Sequence, residues 1–152
     1  MSESQKAPIH RIRDVTLPDD APHARAHVVR DGADVPRGIR APGSLVVGRG
    51  ARVHGSIHAR GAVHVAARAV ISGDLVAVGD VVLGAGALVA GKLRAEGRVT
   101  MLDGAAVAGP VDAAMDAHLR PGARCGTLHV GGDLTLDPGA RALRAHVVGK
   151  TY

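Results

Sequence analysis

The chain has 152 residues, 46% hydrophobic and only 1% aromatic, with Tyr152 as the sole aromatic side chain beside 21 glycines and eight prolines. That balance excludes a core built on Phe and Trp and suits one domain with a narrow aliphatic interior and many corners. The formal charge of +5 comes with no stacking aromatics and no compact basic motif, so nucleic acid is not an expected partner.

A single cysteine, Cys125, excludes an intrachain disulfide and fits a reducing compartment. No apolar run reaches the ~18 residues of a membrane span, and Ser2 stands where N-myristoylation needs glycine. The expected location is the cytoplasm, with membrane association left open.

In chain order, residues 1–24 are polar, with Pro8, Pro18 and Pro22, and read as a flexible N-terminal arm. RAHVVR, DGADVP and RGIRAP then form a first set of three six-residue blocks. From Gly43 the blocks become regular: GSLVVG, RGARVH, GSIHAR, then GAVHVA, ARAVIS, GDLVAV. They continue GDVVLG, AGALVA, GKLRAE, then GRVTML, DGAAVA, GPVDAA. Throughout 43–114 the third and fifth residues of each block are apolar, from Leu45 and Val47 to Val111 and Ala113. MDAHLR, PGARC and GTLHVG make a set shortened by one residue near Cys125, and GDLTLD, PGARAL and RAHVVG close the series at Gly149. The tail is 150–152.

Period-two alternation in six-residue blocks predicts strands, since the blocks are too short for helices and rich in β-branched valine. The blocks recur in threes, so the unit is 18 residues with three distinguishable faces. The predicted fold is all-β: a single-domain, triangular parallel β-helix over 25–149, of about six to seven turns at ~4.8 Å per turn. Opposite charges fall 18 apart, as in Asp80, Arg98 and Asp116, or Asp74 and Lys92, or Arg94 and Asp112. Side-by-side ion pairs are expected there.

Glycine-started blocks such as GDLVAV and GKLRAE, PGAR-type blocks at Pro121 and Pro138, and a small domain between short polar tails resemble the bactofilins, bacterial polymer-forming cytoskeletal proteins. The resemblance covers 25–149. It implies a right-handed β-helix, nucleotide-independent end-to-end filaments, and a scaffold for cell-wall or envelope factors, here recruited through the N-terminal arm. It transfers no catalytic residue and no cofactor. Family members carry an aromatic, often Phe, near the C-terminal end of the solenoid; this chain has no Phe.

The function expected is a homopolymeric structural scaffold. The end-interface candidates are His27 and Val29 in RAHVVR, His146 and Val148 in the near-copy RAHVVG, and Tyr152, with the two histidines a candidate pH-sensitive contact. Val70, Val76, Val82 and Leu88 lie at outward positions and are candidates for lateral contact. The alternative is a trimeric β-helix enzyme, either an acyltransferase of the hexapeptide type or a carbonic-anhydrase-like metal hydratase. Zinc needs three or four converging ligands, yet His64 and His118 fall three turns apart and His58 and His129 four. His54 and His58 straddle a corner with no third ligand apparent. No metal site and no catalysis are therefore expected.

Overall fold

The computed structural model describes Val15–Thr16 and residues 27–152. Among these residues there is no helix, and every strand pairing is parallel. Successive strands of one face lie 18 residues apart, as in Leu75↔Leu93↔Val111 or Val81↔Val99↔Ala117. The result is a β-solenoid of about seven turns, as the block pattern predicts.

The first face is a seven-stranded sheet from His27–Val29 through Val63–Val65 and Val81–Leu83 to Leu134–Leu136. The second face runs from Asp34–Val35 through Arg52–Val53, Val70–Ile71 and Leu88–Val89 to Ala106–Val107. The third runs from Ile39–Ala41 through Ile57–Ala59, Leu75–Ala77 and Leu93–Ala95 to Val111–Ala113. Inward residues stack in ladders. Val35, Val53, Ile71, Val89 and Val107 form one, and Ile39, Ile57, Leu75, Leu93, Val111 and Leu128 another, all buried. Each such side chain contributes roughly 1.5–3 kcal/mol by leaving water. No polar or charged residue is buried among those described, so the interior is a dry aliphatic column.

The one-residue deletion near Cys125 has a visible consequence. In the earlier turns three residues, such as Ala108, Gly109 and Pro110, separate the second face from the third. In the sixth turn the corner is shorter, and Arg124–Val130 runs straight through it as one seven-residue strand. Arg141–Val147 follows it in register, so the second and third faces fuse into one 13-stranded sheet.

That register corrects the block assignment at the C-terminus. Leu128 and Val130 pair with Ala145 and Val147, a spacing of 17, and His129 pairs with His146. RAHVVG therefore lies on the third face with His146 turned outward, one place out of step with the RAHVVR of the first face. The two are equivalent as text and not as structure.

The turns join through two kinds of corner. Between the first and second faces, Gly32, Gly50, Gly86, Gly104, Gly122 and Gly139 all have positive φ, and Arg68, at φ 60°, holds the same position in its turn. At the other corners a second-position Asp or Ser accepts a hydrogen bond from the next turn's backbone N–H. Asp80 Oδ1 takes Arg98 N at 2.8 Å, Asp74 Oδ1 takes Lys92 N at 3.0 Å, and Asp116 Oδ1 takes Asp133 N at 2.9 Å. The carboxylates expected to pair with neighbouring side chains thus satisfy corner amides that the sheets leave without partners. The block-start glycines make room for this, because a Cβ at Gly91 or Gly97 would collide with Asp74 Oδ1 or Asp80 Oδ1.

Of the arm assigned to 1–24, only Val15–Thr16 lies among the described residues. It adds a strand to the third face, pairing with Ile39 and Arg40. The sequence around it, RDVTLP, is a further six-residue block with Val15 and Leu17 at the third and fifth places. The block escapes an 18-residue search because Val15 and its partner Ile39 are 24 apart.

Candidate functional site

At the C-terminal end the outer edge of Arg141–Val147 has no further strand against it among the described residues. Leu143 and Val148 there are 85% and 84% exposed, and Tyr152 is 64% exposed. The tail turns onto the first face, where Thr151 bridges to Leu134 and Tyr152 N donates to Leu134 O at 2.7 Å. Tyr152 comes beside Thr135, Thr100 and His118 in a shallow polar groove. His146 stacks on His129, ring centroids 5.2 Å apart with planes 5° from parallel. Asp112, in register with His129, continues that outward column.

At the N-terminal end His27 occupies the inward register against Leu45 and is half-buried, while Val29 is fully buried. Of the five residues expected at an end interface, Val148 and Tyr152 are openly exposed, His146 faces sideways, and Val29 belongs to the core.

The lateral candidates separate. Val70 pairs with Leu88, and Leu88 with Ala106, making the short outward stripe that the 18-residue spacing predicts. Arg52 and Arg124 bound it. Val76 stands apart on the third face between His58 and Arg94, and Val82 on the first between His64 and Thr100.

The histidine spacings hold as expected: His64 reaches His118 only through Val82 and Thr100. Among the described residues no group of three or more His, Cys, Asp or Glu is placed to hold a metal ion. His118 Nε2, shut off from solvent, lies 3.1 Å from Asp137 Oδ2 without making a hydrogen bond. Arg120 Nε bridges Asp103 and Asp137 at 3.5 and 3.7 Å. Cys125 is 7% exposed among aliphatics, and burial pushes its thiol up to about 11. That makes it a core residue, with the low reactivity a buried thiol has.

One constellation escaped the sequence reading. His54 and His58, judged to be divided by a corner, line one groove of about 410 Å³ with Pro36, Arg37, Arg40 and Ser56. The signal available was the spacing, since Arg40 precedes His58 by one 18-residue unit and pairs with it.

Among the described residues no helix is long and apolar enough to cross a membrane. Comparison of the chain with family models, with curated proteins and with solved structures returned no match.

Proposed function

We propose that the chain is a self-assembling structural scaffold. Its solenoids join end to end into nucleotide-independent filaments that serve cell shape or envelope organisation, as the bactofilin resemblance implies. The observation that carries this reading is the terminal strand Arg141–Val147. It is seven residues long, in register on one side and, among the described residues, uncovered on the other, with apolar Leu143 within it and Val148 just after it in solvent. A parallel edge of that length presents unpaired backbone groups, and another copy of the solenoid is the partner whose strand spacing matches it. The role asks nothing of a catalytic residue or cofactor. Filaments then bundle through the Val70–Leu88–Ala106 stripe.

Negative-stain microscopy of the purified protein without nucleotide tests the proposal. Long thin filaments are expected. Leu143→Glu with Val148→Glu should shorten them to small oligomers with the thermal melt unchanged, because both side chains are already in solvent. Discrete trimers from the unaltered protein would overturn the reading.

A further inference from the structure

We propose that the groove lined by Arg37, Arg40, His54 and His58 is a binding site for a phosphoryl group. Four observations converge on it. Residues 27–60 carry six arginines, no lysine and two aspartates, a net of +4 on a chain whose total is +5. The excess positive charge is therefore concentrated in the N-terminal turns.

Second, both aspartates are engaged. Asp31 Oδ1 accepts Arg49 N at 2.8 Å on a different corner, and Asp34 Oδ1 lies 2.6 Å from His54 Nε2, so that this nitrogen is taken and Arg37, Arg40 and His58 are the donors an anion would meet. Third, the acids of the following turns are turned away or distant. Asp74, one rung past Ser56, directs Oδ1 to Lys92 N. Along the outward column the order is Arg40, His58, Val76, Arg94, Asp112, so the first carboxylate comes four rungs from Arg40, about 19 Å at the parallel-strand spacing.

Fourth, the donor side chains come from two adjacent rungs. Arg37 and Arg40 project from one turn, and His54 and His58 from the next. Guanidinium forks match the oxygens of a phosphoryl group, and a tetrahedral anion can accept from both rungs at once. All four side chains are exposed, so binding is weak and falls with salt. The ligand class is a phosphate ester or diphosphate, either free in solution or as a lipid headgroup.

The test titrates the full-length protein with inorganic pyrophosphate at low salt, read by calorimetry. A parallel arm sediments it with vesicles of phosphatidylglycerol or phosphatidylcholine. Saturable pyrophosphate binding, or sedimentation with phosphatidylglycerol alone, is expected, and which of the two occurs identifies the source. Arg37→Gln with Arg40→Gln should weaken binding at least tenfold, while Arg124→Gln with Arg141→Gln, equal in charge removed, should change it less than twofold. Equal losses in both variants would mean net charge alone, and no saturable binding in either arm would mean no site; each overturns the proposal. Repeating the titration on the Leu143→Glu, Val148→Glu variant separates this result from the success or failure of assembly.

Discussion

At the scale of single residues, the corners carry most of what is particular to this chain. Arg68 holds a left-handed conformation where the equivalent corners carry glycine. That conformation costs an L-residue ~1–2 kcal/mol, against ~0.5–1 kcal/mol of extra chain entropy for glycine. Arg68→Gly should therefore stabilise the fold by about 0.5 kcal/mol, seen as a rise of a degree or two in Tm. Cys125 gives a second expectation. Its thiol is raised by burial from 9.0 to about 11, so the neutral form is favoured in the folded state. The associated stability is complete below pH ~9 and drains away as pH rises through about 11. Cys125→Ala should flatten that alkaline loss in urea titrations. A disulfide-exchange reagent at pH 8 should label Cys125 at least a hundredfold faster in denaturant than in buffer.

At the scale of elements, the strands are too short to be stable alone and exist because each is clamped by the turns before and after it. The alternation of apolar third and fifth positions told which side chains face inward, and from Gly43 to Ala113 the structure agrees at each of them. Alternation could not tell where an outward charge sends its hydrogen bonds. Asp74 and Asp80 were readable as ion-pair partners, but a carboxylate beside an unsatisfied corner N–H gains more from that short bond than from a solvated lysine or arginine. Outward apolar positions were equally legible, and the 18-residue spacing already sets the Val70–Leu88–Ala106 stripe apart from Val76 and Val82, which the observed register bears out. Val70→Glu with Leu88→Glu should leave single filaments intact and abolish bundling in electron micrographs. Bundles that persist would remove the stripe from the lateral contact.

At the scale of the whole molecule, each turn touches only its neighbours, so the rod behaves as a sum of similar layers. Removing residues 79–96, one 18-residue unit, joins Val78 to Gly97 at equivalent corners. The shortened chain should still fold cooperatively, with lower Tm. Its filament repeat should contract by ~4.8 Å per subunit, measured by electron microscopy. A chain that no longer folds would contradict the layer picture.

By itself the sequence determined the solenoid: the 18-residue period, the three faces, the aliphatic column and the shortening near Cys125. All of these follow from periodicity, and periodicity is a property of one dimension. Only the tertiary structure decided the register of the last turn and the pairing of Val15–Thr16 with Ile39 and Arg40. Each depends on how a corner spends or skips a residue, and a corner displaced by one position turns a side chain from the core to the solvent. The sequence spelled RAHVVR and RAHVVG almost alike; backbone pairing set His27 inward against Leu45 and stacked His146 outward on His129.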